Sequence, residues 1–406
     1  MSATNQPLPR REMALVGGVV LTISIGAFFR VPLLPSIGDE LSMSAAQLGL
    51  ITTVFAVGRL VTDIPAGRLA DRVQPLRSLG VAGSILAAGS VGVATAGTGA
   101  WVITAAFALG IASALANTTG MTYFSTAAPA AQRGRSMAVF SAALLGGQAL
   151  GPAVGGLIGD AAGWRMALFS AAGVGLLVAV LGGASTRMRR PPVAGGGGHH
   201  GASPGGVDPT PPLQRALLYA VSFALMFMLG SMPQTLIPII GDDRFALGAG
   251  TIGLALGVGG ACRFVGALVG GRLADRVSRK GSLVPGMALC SIGVALLAFD
   301  LGVAGWLAAI VALSLGSYGV TVSATMLADH ARGSGVGRRL GAYRFMGDLG
   351  LVAGPSITAL LYERVSDRAA VLFVAGLVGV VGLLCAFVLQ ETRWLDETRA
   401  DARSRT

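Results

Sequence analysis

Charge is what this 406-residue chain has least of: 12% of its residues are Asp, Glu, Lys or Arg. A soluble domain carries about 25%. With 53% hydrophobic residues and a mean hydropathy of +0.71, too little polar surface remains for a coat of water, and a soluble enzyme is excluded. Lysine is nearly missing; Lys280 stands alone among 30 basic residues. The three cysteines, Cys262, Cys290 and Cys385, fall inside apolar runs away from histidine. Such thiols read as small core residues, not as a disulfide framework or metal site. Polar–apolar alternation is also missing, which excludes a transmembrane barrel. No H-E-x-x-H, paired aspartate-rich site or G-x-S-x-G accompanies the apolar runs, so no enzyme is expected. Asp242, Asp243 and Arg244 read as an isolated external acidic turn.

What the chain has is long apolar runs, each about the ~20 residues a bilayer-spanning helix needs. Twelve are expected, near 13–36, 46–68, 78–98, 101–125, 136–159 and 164–186, then 215–240, 248–271, 281–300, 303–327, 339–361 and 369–390. The first is too long and too closely followed by others for a cleavable signal. The expected class is therefore an all-α integral membrane protein of twelve transmembrane helices.

The net charge of +11 suggests nucleic acid only until its placement is read. The N-terminus, the connections after even-numbered spans and the C-terminus hold 22 Arg and Lys; the opposite connections hold four, Arg165, Arg244, Arg364 and Arg368. That bias orients a membrane protein with both termini inside the cell. It predicts a multi-pass protein of the plasma (inner) membrane and no nucleic-acid partner.

One stretch breaks the pattern. Residues 187–213 are rich in Gly and Pro without apolar period, and read as a flexible cytoplasmic linker. Adjacent His199 and His200 within it cannot converge on a metal unaided. The linker separates an N-terminal bundle, 1–186, from a C-terminal bundle and tail, 214–406. The halves are related: RLVTDIPAGRLADRV from Arg59 recurs as RFVGALVGGRLADRV from Arg263, 204 residues later, with nine of fifteen positions identical. Gly151-Pro152 likewise recurs as Gly354-Pro355.

Six spans, a linker and six spans, with G-x-x-x-D-R repeated after the second and eighth, resemble the major facilitator superfamily. The first copy is Gly67, Asp71 and Arg72; the second is Gly271, Asp275 and Arg276, continued by Arg279 and Lys280. The resemblance covers about Met13 to Gln390. It implies two pseudo-symmetric six-helix bundles and a transporter working by alternating access, with its substrate near the midplane between them. The two glycines would let a neighbouring helix approach closely. The two aspartates, just beyond a helix end, would face the positive N-terminus of another helix, latching the cytoplasmic side; the alternative is that these charges only fix topology. The run GGQALGPAVGG in the fifth span, with Gly147, Gly151, Pro152, Gly155 and Gly156, resembles the glycine-rich motif the family associates with exporters. It predicts tight packing against a helix of the other half. The fourth-span arginine of multidrug antiporters is absent.

Ionisable groups inside spans are costly and mark function. Arg59 and Asp63 lie i,i+4 on the second span, Arg344 and Asp348 i,i+4 on the eleventh, in opposite order relative to the cytoplasmic end. Their spacing suits a two-tier clamp, Asp63 with Arg344 and Arg59 with Asp348; the two carboxylates are also candidates for proton coupling. A purely structural network is the alternative. Arg263 repeats Arg59 without a matching carboxylate, and suggests a polar or anionic substrate group or a link to Gln148. Arg30 either snorkels outward or lines the cavity. Asn117, Gln234 and Tyr318 are further cavity candidates. The expectation is a monomeric, cofactor-free, metal-free transporter of a small organic molecule, coupled to protons and working in efflux. The rivals are an uptake symporter for a polar metabolite or organic anion, and a transporter-like sensor that binds without moving its ligand.

Overall fold

The structure is a computed structural model, described here for residues 10–126, 132–184, 211–330 and 336–392. The linker expected at 187–213 lies outside the described residues except its last three. Every regular element among the described residues is helical. Among the described residues, eleven helical segments are long and apolar enough to cross a membrane. The ninth expected span, α11 (Arg279–Leu296), carries Arg279 and Lys280 in its first turn, which dilutes its apolar character. Leu176, Leu177, Val180 and Phe387 are among the apolar side chains on the outer surface, a distribution that suits lipid rather than water.

The first expected span is not one helix. α1 (Arg10–Phe28) stops short of Pro32, whose missing N–H and ring disrupt the turn that would close on the Phe28 carbonyl. Residues 29–33 continue in tighter i→i−3 turns; Val31 N–H donates to Phe28 O at 3.2 Å and Leu33 N–H to Arg30 O at 3.2 Å. Helix α2 (Leu34–Leu41) follows, with proline in its first turn, and ends at Ser42 in the left-handed region, φ 51°. The next spans are α3 (Ala45–Arg72), α4 (Pro75–Ala94), α5 (Gly99–Thr126), α6 (Arg133–Ala162) and α7 (Trp164–Ala184). A reciprocal cap starts α3: Ser44 Oγ accepts from Gln47 N–H, and Gln47 Oε1 accepts from Ser44 N–H.

The seventh span is interrupted at the corresponding place. α8 (Pro212–Ser231) passes through a π-helical turn, Met232–Leu236, into α9 (Ile237–Phe245). Pro233 cannot donate to the Leu229 carbonyl, and the Gln234 side-chain amide donates to it instead, at 3.5 Å. Asp242, Asp243 and Arg244 close α9, so the expected external turn is the last turn of a helix. Then come α10 (Ala249–Arg276), α11, α12 (Gly302–Gly316), α13 (Gly319–His330), α14 (Val336–Arg364) and α15 (Asp367–Val388). The tenth span is thus also two helices, parted at Ser317-Tyr318.

Two compact units emerge. One gathers the chain before the linker with Pro238–Ala261; the other holds the rest of the second half. In the first, α3 packs on α5, α4 on α7 and α1 on α6; in the second, α14 packs on α8 and α11 on α12 and α15. At the end of α2, Glu40 accepts from Arg165 Nη2 at 2.8 Å and from Trp164 Nε1 at 2.6 Å, while Arg165 Nη1 donates to Ala94 O and Ala96 O. Those donors hold the Glu40 carboxyl below its ordinary value, the Arg165 hydrogen bond first and that of Trp164 second.

Candidate functional site

The glycine run of α6 has two working faces. Gly147, Gly151 and Gly155, four residues apart, lie against α1 and the turn after it: a Cβ on Gly151 would sit 2.7 Å from Ile25 O, and one on Gly155 2.6 Å from Phe29 Cα. Pro152 and Gly156 face the start of α10, where a Cβ on Gly156 would overlap Ala249 O and one on Gly253 would overlap Pro152 O. Among the described residues, it is the second face that meets the other half of the sequence. The first face serves α1, because a four-residue glycine spacing makes one flat stripe on a helix.

The motif glycines behave differently. A Cβ on Gly67 or Gly271 would meet nothing within 4 Å among the described residues, so no helix among them approaches either glycine closely. Asp275 and Arg276 are exposed in the last turn of α10, and Arg72 is exposed in the last turn of α3. Both helices run to the arginine, so Asp71 and Asp275 sit inside a helical turn rather than beyond it. The Asp71 side chain lies outside the described residues.

The junction after the second copy is elaborate. Arg279 and Asp329, 7% and 8% exposed, form a buried ion pair. Thr392 Oγ1 donates to Asp329 Oδ2 at 3.0 Å. Glu391 accepts from the backbone N–H groups of Arg279 at 3.1 Å and Lys280 at 3.0 Å, and from the Ser278 hydroxyl. A carboxylate on the orphan donors of a helix N-terminus complements its positive end. Gln214 holds the same segment through Val388 O and Gln390 N–H. Sequence reading missed this cluster; only the lone Asp329 at the end of an apolar run signals it.

Within the first unit, Arg59 and Asp63 share one face of α3, each half-buried, and Thr118 Oγ1 of α5 donates to Asp63 Oδ1 at 3.3 Å. The backbones touch here, since a Cβ on Gly110 would overlap Phe55 O. Asn117, expected to line the cavity, is half-buried beside Thr118. Arg344 and Asp348 are half-buried on α14 in the second unit. Their helix is set by neighbouring Tyr343, whose hydroxyl donates to Val320 O at 2.8 Å and meets Ser323 Oγ at 2.7 Å, while Ser222 donates to its carbonyl.

Arg30 does not snorkel. It is 2% exposed because the broken turn after α1 carries its side chain into the bundle. Nη1 donates to Thr52 Oγ1 at 3.4 Å, and the guanidinium carbon lies 4.1 Å from the centre of the Phe55 ring. Gln148 on α6 and Arg263 on α10 are half-buried. Two cavity candidates have other work. Tyr318 donates its hydroxyl to Ser282 O at 2.9 Å, and its ring fills space opened by Gly270 and Gly286. Gln234 repairs the π-helical turn. No group of three or more potential metal ligands occurs among the described residues.

The sequence matches the family profile described as Major Facilitator Superfamily over residues 16–261 and 219–404. It is 29% identical to a chloramphenicol resistance protein of Streptomyces lividans, covering 94% of this chain and 96% of that protein. The enterobactin exporter EntS of Escherichia coli O127:H6 is 33% identical over 40% of each chain. Among solved structures, a bacterial homologue of the human lysosomal transporter Spinster, inward-facing and occupied, superposes with a TM-score of 0.76 at 14% identity, over 93% of this chain and 96% of that one.

Proposed function

Because the chain belongs to the major facilitator superfamily, and is therefore a multi-pass membrane transporter of small molecules and not an enzyme, we propose that it exports an organic molecule from the cell in exchange for protons. The observation that carries the export reading is its end-to-end likeness to a protein named for chloramphenicol resistance. The partial likeness to an enterobactin exporter and the two-faced glycine run of α6 support it. In this reading a monomer sits in the plasma membrane with both termini cytoplasmic, and the two bundles, 1–186 and 214–406, alternate access to one substrate.

The charge pairs then act as a gate. Asp63 is matched with Arg344 and Arg59 with Asp348; Asp71 and Asp275 latch the same side. Desolvation offsets most of the Coulomb gain of such pairs, so the gate opens at small cost. Each carboxylate released from its arginine takes a proton, and returns it when the gate closes. Arg30 and Arg263 favour a rival reading, uptake of an organic anion by symport.

Everted membrane vesicles separate the two readings. With chloramphenicol as probe, acidifying the vesicle interior is expected to drive accumulation, and adding the probe to dissipate the pH gradient. No accumulation, or accumulation driven only by external acid, overturns proton-driven export.

A further inference from the structure

Arg30 is a buried cation whose donors are only partly used. Its Nη1 reaches Thr52 and its π face lies over Phe55; Nε and Nη2 are buried without a hydrogen-bond partner. Among the described residues no carboxylate lies within ion-pair distance of it. Leaving a charge and two donors unmet inside a protein is costly, so the Thr52 and Phe55 contacts alone do not account for this residue. Arg59, one turn beyond Phe55 on α3, carries the same charge and so cannot compensate it.

The two unmet nitrogens are not arbitrary. Nε–H and Nη2–H are parallel donors on one edge of the planar guanidinium, the edge that receives both oxygens of a carboxylate at once. The other repeat shows that the fold itself does not require the cation. At the positions 204 residues on, Gln234 stands for Arg30, Leu256 for Thr52 and Gly259 for Phe55. Both first helices are broken at this level, by Pro32 and by Pro233, the kind of interruption that marks binding sites in duplicated transporters. Only the first repeat furnishes its break with a guanidinium, a hydroxyl and an aromatic face.

We propose that the free edge of Arg30 binds the carboxylate of an amphipathic organic anion, with Phe55 and Phe28, ring centres 6.2 Å apart, beside its apolar body. The inference rests on the transporter reading alone, in either direction of transport, and gives a cargo of that site a chemical class distinct from neutral chloramphenicol. It is measured by binding without a gradient, so a failure of pH-driven transport and a failure of this site are distinguishable.

The test uses the purified full-length protein in detergent, with 1-naphthoate, its neutral amide 1-naphthamide, and chloride at constant ionic strength. Calorimetric titration is expected to show saturable binding of naphthoate, at least tenfold weaker binding of naphthamide, and no competition by chloride. Arg30→Gln removes the edge and Arg30→Lys replaces two parallel donors by a point charge; each should weaken naphthoate at least tenfold while leaving naphthamide unchanged. Removing an unpaired buried charge should not harm folding, and an unchanged or raised Tm of Arg30→Gln checks this. Phe55→Leu, which keeps Arg30, should weaken naphthoate severalfold and so tests the site independently. Equal binding of naphthoate and naphthamide, undiminished binding by Arg30→Gln, or no binding of naphthoate overturns the proposal. Competition by chloride would assign the edge to an inorganic anion and overturn the organic-cargo assignment.

Discussion

The two repeats solve the same packing problem with different residues, most plainly around α5 and its counterpart α12–α13. In the second repeat Tyr318 wedges its ring against Gly270 and Gly286. In the first, the positions 204 residues earlier are Ala114, Ala66 and Ala82, all buried. One large side chain between two glycines in the second repeat thus stands where the first has three small buried ones, an exchange that a close-packed interior allows. The helix that follows each motif copy differs in the same coupled way. Arg279 and Asp329 make a buried pair in the second repeat, and their counterparts are Pro75 and Ser125. Pro75 opens α4 without needing the N–H that Glu391 satisfies in α11. Partners were lost or gained together, so each repeat is internally consistent and the two are not interchangeable residue by residue.

The largest effect should come from breaking the second repeat's ion pair. Asp329→Asn leaves Arg279 buried and uncompensated, and is expected to cost about 3 kcal/mol, read as a fall in Tm of the purified protein. The double variant Arg279→Met with Asp329→Leu should recover most of that loss; a double variant as unstable as the single would mean the charges do more than pair. Next, Tyr318→Ala should cost about 2–3 kcal/mol through the cavity it leaves. Adding Gly270→Ala and Gly286→Ala, which recreates the first repeat's alanines, should restore part of it, and strict additivity would contradict the coupling.

The two glycine classes differ as well. Gly155→Val should overpack against Phe29 and cost about 1–3 kcal/mol, whereas Gly67→Ala should stay within about 0.5 kcal/mol; equal losses would refute the contrast in their surroundings. Smallest is the surface cluster at Glu40. Its carboxyl is held below an ordinary value of 4.5, so its contribution is present above about pH 4.5 and disappears as pH falls through the depressed value. The Tm difference between wild type and Glu40→Gln should therefore close on acidification; a gap that widens there would reverse the sign.

Much of this architecture was legible because lipid imposes a simple rule: long apolar runs become helices. The repeat GRLADRV and the arginine bias were readable for the same reason, since loops are where charge is allowed. The break after Phe28 was in view as Pro32 and Pro35, but the apolar run continued through it and hid the turn. Arg30 lies in that turn and is buried, a placement that the apolar run alone did not reveal. Glu391 capping α11 from 113 residues away from Ser278, and Thr118 donating to Asp63, join segments that no local period connects. Gly67 and Gly271 show the reverse, a motif whose residues were found and whose close contacts do not lie among the described residues.

The central claim, proton-driven export gated by charges on α3 and α14, is tested most directly by exchanging them. In everted vesicles, Asp63→Arg and Arg344→Asp singly should each lower pH-driven accumulation at least about tenfold, equivalent to about 1.4 kcal/mol, and the double exchange should restore much of it. Single variants that transport like wild type, or a double no better than either single, would contradict the gate.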